Sequence, residues 1–377
     1  MIDHLKNPRG TIDSLRQEHL NQALAFLDRY ELEGLIAAST DSIQSRGNVR
    51  YLTNYATNYG TSLAILSRRG LLLLIVPAGS FQLGWARDMS WADEARAVKD
   101  YQDAILVGLA DAGIDRGNVG LAGLEDLPGS LDAQVIAALP NAHFQNVSKS
   151  FKLMKAVKSG DEILMAKKSV MLADTALGDL TPAIIIGNSE NDLFARATSR
   201  LSLAGAEDYF LLASSGQRTV SPIPSGRSLE SQDVLRFSIE PASPGGFWTQ
   251  TIRMFSLGVP ASNFQSAFDL CAESVEAAKK KLMPGSTGGD VAKEIIDVLK
   301  QAEGGEIGPL GHGMGLDLTE PPFMLLSDNT TIQPGMVITI HPSLTWGGAN
   351  IWMGDTFLIT ETGPENLSSM PNQLVVC

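Results

Sequence analysis

Cysteine is almost absent from this chain: Cys271 and Cys377 are the only two in 377 residues. Two thiols so placed make neither a disulfide framework nor a zinc knuckle, and a reducing, cytoplasmic setting is expected. Long apolar runs are absent as well. Gly70–Val76 is among the longest, far short of the ~20 residues that a membrane helix needs, so no membrane partner is expected. Residues Met1–Lys6 show no apolar core and no small-residue cleavage pattern, and a secretion signal is not expected. Basic residues are in deficit, 29 Lys and Arg against 42 Asp and Glu, a net charge of −13. A surface of that sign repels phosphate backbones, which argues against nucleic acid as a partner. The glycine-rich stretch Pro284–Gly289 does not follow a strand in a phosphate-loop pattern. No nucleotide and no other cofactor is implied.

What is present is enough chain for two hydrophobic cores. Apolar residues recur at helical spacing from Thr11 to Arg29, with Asp13 or Ser14 as a candidate cap. Leu35–Ala38 reads as a buried strand; Ser62–Leu66, the turn Ser67–Gly70 and Leu71–Val76 read as strand, turn and strand. Helical stretches over Ala104–Ala112 and Leu131–Leu139 flank a strand at Val119–Ala122. Strands alternating with helices describe a small α/β domain over residues 1–150. The lysine-rich segment Asn146–Lys158 reads as the domain boundary, and Ser159–Glu162 as a helix start with acidic residues in its first turn. Beyond it, a long helix and a second one over Glu190–Ala204 precede strands at Asp208–Ala213, Asp233–Ile239 and Phe247–Phe255. Helices at Asn263–Leu282 and Gly289–Ala302 precede strands at Met336–Ile340 and Thr356–Thr360. Helices then strands, twice over, describe an α+β domain of two related halves across residues 151–377.

Several stretches resemble the creatinase/prolidase, or pita-bread, family. Asn48–Tyr55 is similar to its N-terminal "N-x-R-Y-L-T" segment, and Lys158–Ile163 to the first helix of its C-terminal domain. Gly311–Asp317 with Glu320-Pro321-Pro322 is close to its "G-H-G-x-G-L-D" segment. Gln333–Ile340 matches the strand leading to a metal-ligand position, and Asp355–Glu361 the final strand. Their order along the chain implies an α/β N-terminal domain and a pita-bread C-terminal domain.

The resemblance also implies where metal ligands should fall. The family's peptidases hold two divalent ions with two Asp, one His and two Glu, hard ligands that leave a bridging water as nucleophile. Here the Asp positions fall on Ser238 and on Gln250, or Thr249 if the loop gap is placed differently. The His is kept as His312, and the Glu positions are His341 and Gly354. Two dications without an anionic clamp would leave about four positive charges uncompensated in low dielectric, so a dinuclear centre is not expected.

The reading that follows is a metal-independent, creatinase-like enzyme. It would hydrolyse, or eliminate across, a C–N or similar bond of a small amino-acid-derived or nitrogen-rich compound. His312 and His341 are the expected acid/base pair and Glu240 their support, since two neighbouring imidazoles cannot both be charged cheaply. Gln250, Ser238, Trp352, Phe247, Asp355 and Tyr55 are the expected substrate-binding residues, each with plain packing or backbone bonding as its alternative. Arg253 matches an arginine of mainly structural use in the family. Two other readings stand beside this one: a non-catalytic binding protein, and a metalloenzyme with one ion on both histidines and Asp355 or Glu240 as a third ligand. A homodimer is expected from the resemblance.

Overall fold

The computed structural model describes residues 9–114, 116–124, 133, 136, 137 and 141–377, which divide into two compact units, Met1–Lys155 and Ala156–Cys377. The helix expected over 131–139 lies for the most part outside the described residues.

In the first unit, helix α1 (Arg9–Arg29) leads into β1 (Gly34–Thr40). Asp13 and Ser14 therefore sit inside the helix rather than capping it. Helix α2 (Gly47–Thr53), strands β2 (Thr61–Ser67) and β3 (Leu72–Pro77), helix α3 (Ser80–Met89), β4 (Glu94–Val98), α4 (Tyr101–Asp111), β5 (Gly117–Ala122) and β6 (Ala142–Asn146) follow. The strands form one mixed sheet in the order β4-β3-β2-β1-β5-β6. Its apolar face, with Ile36, Leu63, Ile65, Ile75 and Leu121, buries Ile105 and Leu109 of α4. The lysine-rich segment is not an open linker but helix α5 (Ser148–Ala156), pinned by Phe151 edge-on against Phe26 and Tyr51. His19 is buried, its ring stacked on Tyr51 at 3.9 Å.

The second unit opens with α6 (Gly160–Leu180), whose start is fixed by a reciprocal capping box between Ser159 and Glu162. A cap of this kind contributes roughly 1 kcal/mol. Helix α7 (Glu190–Leu203) has the same device in Ser189 and Asp192. Both helices pack leucines and alanines against one face of a sheet made of β7 (Asp208–Ser215), β8 (Val234–Ser243), β9 (Phe247–Trp248) and β10 (Thr251–Ser256). The segment Phe247–Phe255, read as one strand, is thus two strands broken at Thr249-Gln250. The break arises because Gln250 leaves the ladder to exchange two hydrogen bonds with the Thr356 hydroxyl, at 3.1 and 2.8 Å.

The motif then repeats. Helices α8 (Ser262–Lys279) and α9 (Gly288–Leu299) pack on a second sheet. Strand β11 (Glu306–Ile307) precedes β12 (Gly311–Gly313), β13 (Glu320–Phe323), β14 (Val337–Ile340), β15 (Ser343–Trp346), β16 (Ala349–Trp352), β17 (Asp355–Thr360), β18 (Gly363–Asn366) and β19 (Val375–Val376). The second sheet runs β13-β12-β14-β17-β18, and β11-β15-β16 form a small one. Strand β19 joins the first sheet beside β10. Helices then strands, twice, is the expected pita-bread arrangement. Among the described residues, no helix is long and apolar enough to cross a membrane.

Candidate active site

Side chains alternate across a strand, so each sheet of the second unit gives one face to its helices and one to the interior between the sheets. On β14, Ile338 and Ile340 join the helix-side core, while Thr339 and the following His341 take the other face. Register pairs His312 with Thr339, which puts His312 on that same face. The two imidazoles meet edge to face with ring centroids 5.2 Å apart. On β8, the same alternation turns Leu235, Phe237 and Ile239 toward the helices and aligns Arg236, Ser238 and Glu240 on the opposite face.

Glu240 is buried and bonded on one oxygen by the Ser238 hydroxyl at 2.9 Å and the Gln250 amide at 2.9 Å. Burial lifts its carboxyl to about 7, against the opposing effect of those two donors. The Gln250 carbonyl accepts from Thr339 Oγ1 at 3.3 Å, tying this cluster to the strand that carries the histidine pair. Thr339 is the residue that motif reading missed; its place two positions before His341 is the signal that could have found it. Thr249, the alternative to Gln250, has a buried hydroxyl with no hydrogen bond and takes no part in the cluster.

The tautomer of His312 is defined by a single contact. His312 Nδ1 lies 2.9 Å from the carbonyl of Gly313, which can only accept, so the proton is on Nδ1 and Nε2 keeps its lone pair. In His341, Nδ1 faces the Trp352 indole N–H, a group that can only donate. Its Nε2 is buried without a hydrogen-bond partner. The indole of Trp352 stands 3.5 Å from His341 Nδ1, at the outer limit of a hydrogen bond. Burial holds both rings below the usual imidazole range, and for His341 the neighbouring His312 adds to it, to about 3.

Other expected site residues are placed elsewhere. Register pairs Asp355 with Ile340, so its side chain shares the helix-side face rather than the face of His312 and Thr339. There it ion-pairs with buried Arg253 at 2.7 Å and accepts from Asn372 at 3.0 Å. Its carboxylate is consumed in the framework, which corrects its assignment to substrate binding. Phe247 is fully enclosed under the Lys158 ammonium, 5.6 Å from the ring centroid, a packing position. Tyr55 is buried within the first unit, where desolvation raises its phenol pKa.

The five-ligand dinuclear set does not fit these residues. Ser238 and Gln250 are neutral, Asp355 is paired with Arg253, and Glu320 is paired with Lys158 inside the protein. Among the described residues no group of three or more His, Cys, Asp or Glu side chains could hold a metal ion. A single ion is a different question. His312 Nε2 keeps a lone pair, and His341 Nε2 is buried without a hydrogen-bond partner. Metal-binding histidines ordinarily give their other N–H to a carbonyl or carboxylate, as His312 does here.

Comparison with known proteins bears on the same point. The model of metallopeptidase family M24 matches residues 165–361, more than half of the chain. An Xaa-Pro dipeptidase of Pyrococcus horikoshii is 22% identical over 370 residues, covering 96% of this chain and 99% of that protein. An Xaa-Pro dipeptidase of Pyrococcus furiosus is 27% identical over 241 residues, covering 62% of this chain and 68% of that protein. The crystal structure of an X-Pro aminopeptidase from Thermotoga maritima superposes with a TM-score of 0.85 at 21% identity, over 95% of this chain and 99% of that one. These matches overturn the expectation of a metal-independent, creatinase-like enzyme, because the relatives are named as dipeptidases of a metallopeptidase family. The metalloenzyme with altered ligands is the better-supported reading. The chain belongs to metallopeptidase family M24, the hydrolase family of the creatinase/prolidase fold.

Proposed function

We propose that this protein is a hydrolase of small amides of the Xaa-Pro dipeptide kind, built around one divalent ion of borderline softness, such as zinc, on His312 and His341. The observation that carries this reading is the meeting of two imidazoles with ring centroids 5.2 Å apart, one with its Nδ1–H spent on the Gly313 carbonyl and the other with a buried Nε2 that has no hydrogen-bond partner. The names of the relatives support the substrate class. Bound there, an ion of this type supplies Lewis acidity and lowers the pKa of coordinated water.

The chain's own groups supply the rest. Glu240, with a carboxyl near 7, takes up or releases a proton at neutral pH, where an ordinary carboxylate would not. Ser238 and Gln250 orient that carboxyl by donating to the same oxygen. Trp352 closes one side of His341, its ring centroid 6.2 Å from the imidazole, and keeps water from that side.

Elemental analysis of zinc-loaded protein, combined with hydrolysis assays on a panel of Xaa-Pro dipeptides, tests the proposal. About one ion per chain is expected, as for a mononuclear zinc site, together with its loss and loss of turnover in His312→Ala and His341→Ala. Two tightly held ions, or none in a protein that still hydrolyses a dipeptide, would overturn it. No ion and no turnover would leave the fold as a binding protein.

A further inference from the structure

A second feature lies in the row of residues that carries Ser238 and Glu240. Arg236 is 1% exposed, yet no carboxylate pairs with it among the described residues. Its guanidinium donates only to backbone carbonyls: Gly216 at 3.1 Å, Arg218 at 2.6 Å and Asn350 at 3.3 Å. Its Nε is buried and has no partner. A buried guanidinium without a counter-ion is costly, and carbonyl dipoles offset only part of that cost. Desolvation accordingly lowers its pKa, to about 10.

The three carbonyls belong to residues that line a cavity of about 320 Å³, bounded also by Arg227, Asp233 and Phe264. The acidic groups around it are already used. Asp233 takes both nitrogens of the Arg227 fork and the backbone N–H of Glu230. Glu190, near Arg227, accepts from the backbone and hydroxyl of both Ser215 and Ser225. Arg218, by contrast, is exposed at the cavity wall, and its side chain has no hydrogen bond or ion pair among the described residues. Arg227 is matched by Asp233 and Glu230, which leaves Arg218 and Arg236 as the cations here that lack an ion-pair partner among the described residues.

We propose that this cavity is an oxyanion site, taking a carboxylate or phosphate group on a small molecule through the free fork of Arg218, with Arg236 fixed behind the wall as a second cation. The planar guanidinium suits both anions because its paired N–H groups match two oxygens at once. Phe264 and Val234 give the ligand's carbon skeleton an apolar side. The proposal is independent of the metal reading, since it uses neither histidine.

Calorimetric titration of the full-length protein with inorganic phosphate and with succinate tests it, at pH 7, at ionic strength held constant with chloride, and with a chelator present to silence any bound metal. Saturable binding of at least one anion is expected. Arg218→Ala should weaken it at least tenfold, and Arg218→Lys should fall between, keeping the charge but losing the fork. Arg200→Ala, another surface arginine, should bind like the parent protein. Absence of saturable binding to both anions, equal affinity in Arg218→Ala, or equal weakening in Arg200→Ala would each overturn the assignment. A succinate response without a phosphate response, or the reverse, identifies which oxyanion the site selects.

Discussion

A Cβ built on Gly354 would lie 2.6 Å from the Cβ of His341, 2.8 Å from the carbonyl of Ile340 and 3.0 Å from the Cα of His341. Two of those atoms are backbone and the third belongs to any residue but glycine, so on this backbone any side chain at 354 is crowded. Gly354→Ala should therefore cost on the order of 1–3 kcal/mol, as overpacking does elsewhere. Thermal unfolding of the variant measures this. The double variant His341→Glu, Gly354→Glu, which writes the family's acidic pair back in, should be no more stable than Gly354→Ala and should not bind two ions. Recovery of a dinuclear centre in that variant would show that the backbone here adapts freely.

Arg253 and Asp355 form a buried ion pair that also braces the chain end, since the same guanidinium donates to Ser368 at 2.9 Å and to the carbonyl of Met370. Removing one partner strands the other charge. Asp355→Ala should lose about 3–5 kcal/mol of stability, visible in urea denaturation, while metal content per folded chain stays unchanged. A variant that instead kept its stability and lost metal would return Asp355 to the active site.

The division between what sequence reveals and what it hides follows the range of each interaction. Strand alternation is local, so the common face of His312 and His341 is legible from motif positions alone, as is the α/β and pita-bread architecture. The pairing of Arg253 with Asp355 joins residues 102 positions apart, and nothing in either segment announces it. The strand break at Gln250 is set by a threonine hydroxyl 106 positions away. His19 sits in a helix whose pattern gives no sign that Tyr51 covers it. The metal question failed for another reason. Loss of the acidic clamp argues against two ions, and sequence alone offers no ground for ranking one ion on the two imidazoles above none.

Gln250 is the hinge between the Glu240 cluster and Thr339, donating to one and accepting from the other. Gln250→Met should keep the volume while removing these bonds and the one its amide gives Ser238 Oγ at 3.2 Å, at a cost of about 1–3 kcal/mol for the buried groups left unsatisfied. With one of its two donors gone, the Glu240 carboxyl should titrate at still higher pH. Carboxyl titration followed by infrared spectroscopy, with Glu240→Gln as the blank, reads that shift directly; a lower titration point in Gln250→Met would contradict the cluster geometry.

Glu240 also sets a pH dependence of stability with a definite sign. Its carboxyl titrates near 7 in the folded chain against 4.5 for an unburied one, so the folded state holds the proton more tightly than the unfolded state. The contribution is fully present below pH 4.5 and is lost as pH rises through about 7. At 1.36 kcal/mol per unit, the difference amounts to something on the order of 3 kcal/mol by pH 8. Glu240→Gln keeps the shape and the hydrogen bonds from Ser238 and Gln250 to the carbonyl oxygen but has no charge to desolvate. The variant should match the parent protein near pH 4.5 and be more stable above pH 7, and urea denaturation of both proteins across that range decides the matter. Parallel stability curves would mean that Glu240 is ionised in the fold at no cost, held by a cation that the hydrogen-bond network does not include.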